Sequence, residues 1–144
     1  MISLLRIISR GAIIIKHSDV IVFDIDYTTI YSRGNLPRIS LENDPYLNPV
    51  LSGRESELRL FVTGRPVSEK WHTLELLNNF GIFPAQVGFN SVENFDQKHI
   101  AEEKTYLLEQ MGATYYVEDN AKYREVMREY WGGECISSIK WVMM

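Results

Sequence analysis

Residues 21–29 read Ile21-Val22-Phe23-Asp24-Ile25-Asp26-Tyr27-Thr28-Thr29, an apolar run of the β type that ends in two carboxylates and then hydroxyls. Side chains two apart on a strand share a face, so the charges of Asp24 and Asp26 need a counter-ion there. Mg²⁺ typically takes one or two carboxylates together with phosphate oxygens of a substrate. The stretch therefore favours phosphate chemistry. The alternative is a strand that ends in an Asp-rich turn, where Asp and Thr bond nearby amides.

The composition fits a single domain spanning residues 1–144, a length that buries a sufficient core and leaves no room for a second domain. The lone cysteine, Cys135, excludes an internal disulfide, and three scattered histidines do not form a zinc-type cluster. We therefore expect a reducing, cytoplasmic setting. The net charge of -4 disfavours an extended nucleic-acid surface, although a small basic patch is compatible with it.

The first fifteen residues, Met1 to Ile15, are rich in Leu and Ile, but two arginines interrupt them. The charge-free runs are far shorter than the ~20 residues of a membrane span, so we expect no stable membrane insertion. The segment predicts a buried leading element with Leu4, Leu5 and Ile8 on one helical face. A cationic amphipathic helix on a membrane surface is the alternative.

Periodicity and breakers predict an alternation of strands and helices along the rest of the chain. The predicted strands are 20–23, 58–62, 84–89, 114–117 and 135–139; the predicted helices are 66–80, with an apolar stripe of Val67, Trp71, Leu74, Leu77 and Phe80, the second part of 92–111, and 123–130. We expect the first two helices to stop at Gly81 and Gly112, and residues 31–57 to form a loop or a small flap.

This alternation predicts an α/β fold, a parallel sheet with helices on both faces. In such sheets ligands bind beyond the carboxyl ends of the strands. Polar clusters follow the strands at residues 24–28, 63–65 and 118–119. Because these clusters all fall at the same edge of the predicted sheet, we expect them to converge on one site.

The ordered set Asp24-x-Asp26-x-Thr28, Thr63-Gly64-Arg65, a later lysine and Glu118-Asp119 resembles the haloacid dehalogenase-like hydrolase superfamily. The resemblance covers nearly the whole chain from Val20 to Ile139. It implies a three-layer, Rossmann-like doubly wound sheet. It also implies an enzyme, a Mg²⁺-dependent phosphatase that forms a phosphoaspartyl intermediate.

Within this resemblance, Asp24 matches the nucleophile, which also touches the metal. Asp26 is similar to the general acid and base, and its backbone carbonyl is the part that reaches Mg²⁺ in the family. Thr28 matches the position that supports the loop against the substrate phosphate. Thr63 matches the hydroxyl that bonds a phosphoryl oxygen. Gly64 follows it at the substrate side.

Three further positions carry alternatives. Arg65 is either an anchor for a substrate anion or a surface charge at a helix start. Asp119 is the preferred metal carboxylate, with Glu118 binding directly or through water. Asp119 or Asn120 can also cap the following helix. Carboxylates gathered at neighbouring strand ends would repel one another without a cation, which favours the metal interpretation.

Two lysines, Lys98 and Lys104, compete for the catalytic position that neutralises the phosphoryl oxygens and keeps Asp24 ionised. The spacing from Lys104 to Gly112 and Asp119 is similar to that in several small family members. The spacing from Lys98 is closer to that in others. We favour Lys104 and expect the other lysine to be a solvated helix residue.

The chain departs from the family pattern at Tyr27, where relatives mostly carry glycine; the ring either stacks on a substrate ring or shields the pocket. The segments between Thr28 and Thr63, and between Thr63 and the lysine, leave no room for a large cap domain. An open site suits a phosphate on a large substrate, a phosphoprotein or a nucleic-acid end. A nucleotide or metabolite would fit if the second subunit of a homodimer covered the mouth.

Two other functions fit parts of the pattern. A receiver-like signalling domain also uses Asp, Thr, Lys and Mg²⁺, but its phosphorylated Asp follows the third strand, where this chain has Asn90. A catalytically inactive phospho-ligand-binding module would share the scaffold. The presence of the full set of site residues favours the enzyme over both.

Overall fold

The computed structural model describes residues 6–7, 14–32, 45–91 and 96–143. Its main element is a five-stranded parallel sheet. In chain order the strands are β1 Arg6–Ile7, β2 Ile14–Ile15, β3 Ile21–Phe23, β4 Ile30–Ser32, β5 Pro45–Leu47, β6 Leu60–Pro66, β7 Gln86–Asn90, β8 Tyr115–Val117 and β9 Glu134–Ile136. The helices are α1 Lys70–Asn79, α2 Gln97–Met111, α3 Ala121–Tyr130 and α4 Ser138–Val142, with 3₁₀ turns at Glu55–Glu57 and Val67–Glu69.

The strand order of the main sheet is β7-β6-β3-β8-β9, and every neighbouring pair is parallel. Counted along the chain within this sheet, the order is 3-2-1-4-5, that of a doubly wound fold. The order reverses between β3 and β8, and ligands of such sheets bind in the crevice beyond that point. The predicted α/β fold with a parallel sheet is confirmed.

Helices cover both faces of the sheet because each core strand is apolar on both sides. One core joins the strands to α2 and α3 and includes Val22, Val62, Ala101, Leu108, Tyr116 and Met127. The other joins them to α1 and α4 and includes Phe23, Phe61, Leu76, Leu77, Val117 and Trp141. Successive residues of one strand thus face different helices, and this alternation continues into the site.

The predicted ends of the first two long helices are confirmed. Gly81 follows α1 with φ of 75°, and Gly112 follows α2 with φ of 67°. This left-handed backbone is easy for glycine and closes the helix. Asp96 accepts from the amide of His99 and caps α2, so the helix begins after the first polar residues of the segment 92–111, as predicted.

The predicted apolar stripe of the first helix is confirmed in part. Leu77 is buried and Phe80 packs against the core, whereas Trp71 is 77% exposed. The other residues that α1 buries are Thr73 and Leu76. Thr73 is buried because its hydroxyl accepts from the guanidinium of Arg65.

The last predicted strand is too long. β9 stops at Ile136, and Ser137 then caps α4 by accepting from the amide of Lys140. Residues 138 and 139 are therefore helical. A serine before a helix start is a capping signal, and the apolar character of the segment outweighed it in the prediction.

β4 and β5 pair antiparallel and form a small ribbon in the region where a loop or flap is predicted. Between Thr28 and Thr63 the described ranges hold no α-helix. Leu4, Leu5 and Ile8 lie outside the described residues. The predicted leading helix does not fit β1 and β2, which pair antiparallel. Within the described ranges, every helix is too short or too polar to span a bilayer.

Candidate active site

Strand alternation brings two carboxylates to the face covered by α2. Asp24 lies two residues after Val22, and Glu118 lies two residues after Tyr116, so both continue the side of the sheet that packs on this helix. β3 and β8 are neighbours in the sheet. Asp24 and Glu118 are consequently buried next to each other at the point where the strand order reverses.

Lys104 of α2 lies between these carboxylates. Its Nζ is 3.0 Å from Asp24 Oδ1 and 2.8 Å from Glu118 Oε1, and the residue is only 2% exposed. The rings of Tyr116 and Tyr123 lie 5.5 Å and 4.8 Å from the ammonium. Burial opposes the charge of Lys104, but the carboxylates outweigh it and raise the pKa of the ammonium, so Lys104 stays protonated.

Glu118 titrates abnormally in this environment. Burial and then the charge of Asp24 raise the pKa of Glu118 to about 8, against the opposing effect of Lys104. With its pKa raised in this way, Glu118 would release a proton when it bound a cation. Carboxylate oxygens are the hard donors that Mg²⁺ prefers. Asp24 and Glu118 therefore fit the metal that the family resemblance implies, although no group of three metal-ligating side chains occurs in the described ranges.

The hydroxyl of Thr28 joins the two strand ends. It lies 3.1 Å from Asp24 Oδ2 and 3.5 Å from Glu118 Oε2, and it accepts from the amide of Asp119 at 3.1 Å. Thr28 is fully buried. The loop after β3 is thereby locked to the loop after β8, as predicted from the convergence of the polar clusters.

Asp26 is bound by Arg65, which reaches it from β6. Nε lies 3.1 Å and 3.0 Å from the two carboxylate oxygens, and Nη2 lies 3.0 Å from Oδ1. Nη1 donates to Thr73 at 3.1 Å and lies 3.7 Å from Glu69. Arg65 is completely buried. The expectation that it anchors a substrate anion or sits on the surface is corrected, because its guanidinium orients Asp26 instead.

A cavity of about 260 Å³ opens at this edge of the sheet. Its walls are Asp24, Asp26, Tyr27, Gly64, Gln97, Ile100, Lys104, Glu118, Asn120 and Tyr123. A Cβ on Gly64 would lie 3.0 Å from Cγ2 of Ile100, so glycine at this position lets α2 approach and bring Lys104 to the carboxylates. The predicted residues Asp24, Asp26, Tyr27, Gly64, Lys104 and Glu118 thus share one cavity.

Asp119 is directed away from this group. Its carboxylate accepts from the amide and the hydroxyl of Ser138, both at 2.6 Å, and from the hydroxyl of Tyr31 at 2.8 Å. As the residue after Glu118, it continues the other face of β8, where α4 lies. These contacts do not fit the prediction that Asp119 is the preferred metal carboxylate, and Glu118 is the carboxylate that lies beside Lys104 and Asp24. The helix cap is Asn120, which accepts from the amides of Lys122 and Tyr123.

Two other predicted residues lie apart from the cavity. Lys98 is exposed in the first turn of α2, which leaves Lys104 as the lysine beside Asp24. Thr63 is buried, and its hydroxyl accepts from the amide of Arg65 at 3.1 Å rather than lining the cavity. Its contact with a phosphoryl oxygen stays a prediction.

The sequence analysis did not predict three buried polar residues that form hydrogen bonds to residues of the site. Thr73 binds Arg65, Ser138 binds Asp119, and Asn48 donates to the carbonyl of Thr28 at 2.6 Å. All three are buried polar residues. The position of Ser138 was a usable signal, because a polar residue just after the last strand lies at the same sheet edge as the other polar clusters. Asn48 carries no local signal because its partner is 20 positions away. Thr73 is eight positions from Arg65, but its burial on α1 was not predicted.

Comparison with known proteins supports the fold. No family model matches the chain, and the curated proteins contain no match. Among solved structures, a chain of the Pnkp1/Rnl/Hen1 RNA repair complex superposes on 83% of this chain with a TM-score of 0.68 and 14% identity. This chain spans 42% of the length of that one. At this identity the likeness establishes a shared α/β fold.

Proposed function

We propose that this chain is a Mg²⁺-dependent phosphatase of the haloacid dehalogenase type that hydrolyses the phosphate monoester at a nucleic-acid end. The observation that carries the proposal is the environment of Asp24. Its carboxylate ends the central strand and lies between the ammonium of Lys104 and the hydroxyl of Thr28, on the wall of the cavity.

In the first step a carboxylate oxygen of Asp24 attacks phosphorus. The bond from phosphorus to the ester oxygen breaks, and the departing oxygen takes a proton. Asp26 is the candidate donor, because it lines the same cavity and Arg65 fixes its orientation. Lys104 offsets the charge of the phosphoryl oxygens.

In the second step water attacks the phosphoaspartate, and Asp26 accepts its proton. Inorganic phosphate leaves, and the carboxylate of Asp24 is restored. Mg²⁺, when bound by Asp24, Glu118 and the backbone carbonyl of Asp26, would offset the charge of the phosphate. The buried pair of Asp24 and Glu118 supports this assignment, since it places the oxygen donors of two carboxyl groups side by side on the cavity wall.

Two observations support a nucleic-acid end as the substrate. Within the described ranges no α-helix lies between Thr28 and Thr63, an arrangement compatible with a large substrate. A solved structure with a similar fold comes from an RNA repair complex. The net charge of -4 argues against a long duplex, so the proposal is limited to an end.

The receiver-like alternative is less compatible with the sheet. Receiver-type sheets have the order 2-1-3-4-5, in which the third strand lies beside the first. Here the third strand of the sheet is β7, at the edge, and it ends at Asn90. A catalytically inactive module that binds a phosphorylated ligand would differ from the enzyme only in its lack of turnover. The experiment below distinguishes the two.

The test uses the full chain with an aryl phosphate, 3′- and 5′-phosphorylated oligonucleotides, a phosphopeptide and sugar phosphates. We expect Mg²⁺-dependent release of phosphate, fastest from one of the oligonucleotides, and none with excess chelator. Asp24→Asn should abolish turnover, whereas the matched control Asp19→Asn should not. An acid-quenched intermediate that hydroxylamine releases would identify the acyl phosphate. Unchanged activity in Asp24→Asn would overturn the mechanism, and binding without turnover would indicate the inactive module.

A further inference from the structure

Tyr27 has a backbone conformation that does not suit its side chain. Its φ is 62°, and it is the one non-glycine residue with positive φ in the described ranges. The loop requires this conformation, because the amide of Tyr27 donates to Ile30 and the amides of Thr29 and Ile30 donate to Ile25. Glycine would adopt it without strain. The tyrosine side chain therefore needs a reason to be there.

Core packing is not that reason. Tyr27 is 37% exposed and at the same time lines the cavity with Asp24 and Lys104. Because it borders the cavity and is also exposed to solvent, Tyr27 lies at the mouth of the cavity. When the phosphate of a large substrate lies beside Asp24, the rest of the substrate extends out of the cavity past Tyr27.

The ring is also held in place. It meets the ring of Tyr31 edge to face, with centroids 6.1 Å apart and an interplanar angle of 75°. Tyr31 in turn stacks on Tyr46 at 5.9 Å, and its hydroxyl donates to Asp119 at 2.8 Å. A fixed aromatic ring loses little entropy when it contacts a ligand.

We propose that Tyr27 is a specificity-determining residue whose ring stacks on the base of the phosphorylated terminal nucleotide. The inference rests on the proposed function and specifies its substrate. Stacking on an aromatic side chain is tolerant of base identity, because every base has a π face. The site therefore distinguishes an end that carries a base from one that does not, and it reads no particular sequence.

The experiment compares oligonucleotides phosphorylated at the 3′ or 5′ end whose terminal nucleotide is either normal or abasic. We expect the wild-type protein to prefer the normal end by about tenfold in kcat/KM. The ratio should fall to about 1 in Tyr27→Gly and Tyr27→Ala and persist in Tyr27→Phe, which keeps the ring. Tyr106→Ala removes an exposed tyrosine of α2 outside the cavity and should keep the ratio.

A binding measurement separates this inference from the proposed function. Terminal 2-aminopurine loses fluorescence when it stacks, so Asp24→Asn protein should quench it and the Tyr27→Gly, Asp24→Asn double variant should not. Absence of turnover in the wild type with Tyr27-dependent quenching would overturn the phosphatase alone. Equal quenching with and without Tyr27, or equal kcat/KM for normal and abasic ends, would overturn the stacking role.

Discussion

The guanidinium of Arg65 contacts both carboxylate oxygens of Asp26 although the two residues are 39 positions apart in sequence. Both side chains are buried, and the hydroxyl of Thr73 accepts a further hydrogen bond from the guanidinium. Such a pair fixes the direction of the carboxylate, since a bidentate contact allows only one orientation. In a phosphatase, Arg65 would be a positioning residue that acts through Asp26.

We expect Arg65→Ala to lower the free energy of unfolding by about 3 to 5 kcal/mol, because it leaves the buried carboxylate of Asp26 unpaired. Arg65→Lys should recover part of this, since it restores charge but not the bidentate contact. Thr73→Val is the control and should cost about 1 kcal/mol. Urea unfolding measures all three. A loss in Arg65→Ala no larger than in Thr73→Val would contradict the importance of this pair.

Lys104→Met should reduce kcat by about 10² to 10³ fold, the loss typical of a preorganised electrostatic group. The comparison with Lys98→Met is informative because that lysine belongs to the same helix and is exposed. Its kcat should stay within about twofold of the wild type. Phosphate release under saturating substrate measures both. The reverse ranking of the two variants would return Lys98 to the catalytic position.

The stability of the metal-free protein should fall as pH rises from about 5 to 8. The pKa of Glu118 is raised from 4.5 to about 8, so the native state holds a proton in this window that the unfolded state has released. Stability falls with pH wherever the native state binds more protons. Lys104 is protonated in both states here and adds no slope. We expect a total loss of about 1 to 4 kcal/mol, which chemical unfolding at several pH values would measure. Glu118→Gln should lack this slope.

Mg²⁺ should raise the thermal unfolding temperature of the wild-type protein, because an ion that binds only the folded state stabilises it. The effect should shrink strongly in Glu118→Gln. It should be retained in Glu103→Gln, which alters an α2 glutamate that bonds Ser91 outside the cavity. Titration of Mg²⁺ at pH 8, with Ca²⁺ and chelator as references, provides the measurement. Equal shifts in both variants would place the ion elsewhere.

Tyr27→Gly should be more stable than Tyr27→Ala by about 0.5 to 1 kcal/mol, because glycine adopts the positive φ at this position without strain. Both variants lose the ring contact with Tyr31, so their difference isolates the backbone strain. The free energy of unfolding in urea measures both. Equal stability of the two variants would contradict strain at this position.

The alternation of strands and helices was predictable from the sequence, because the apolar runs and the glycines at 81 and 112 are local signals. Convergence of the polar clusters was also predictable, since the carboxyl ends of parallel strands share an edge. Asp24, Lys104 and Thr28 accordingly lie together.

The assignment of Asp119 shows where a sequence pattern needs strand geometry. Counting in twos from Tyr116, which is apolar and central, would have selected Glu118 for the α2 face. The pairing of Arg65 with Asp26 had no such signal, because it depends on the phase of α1 and on the burial of Thr73. The stripe predicted for α1 failed at Trp71, which is exposed, while the polar Thr73 lies on the buried face and contacts Arg65.

β3 lies between β6 and β8, with Val22 and Phe23 fully buried. Fraying of the sheet begins at its edges, β7 and β9, whereas the backbone amides of the middle strand exchange with solvent only in larger openings. Asp24 follows this strand directly. Its position should thus persist through the fluctuations that admit and release ligands, and amide exchange of residues 22–24 should be among the slowest in the protein.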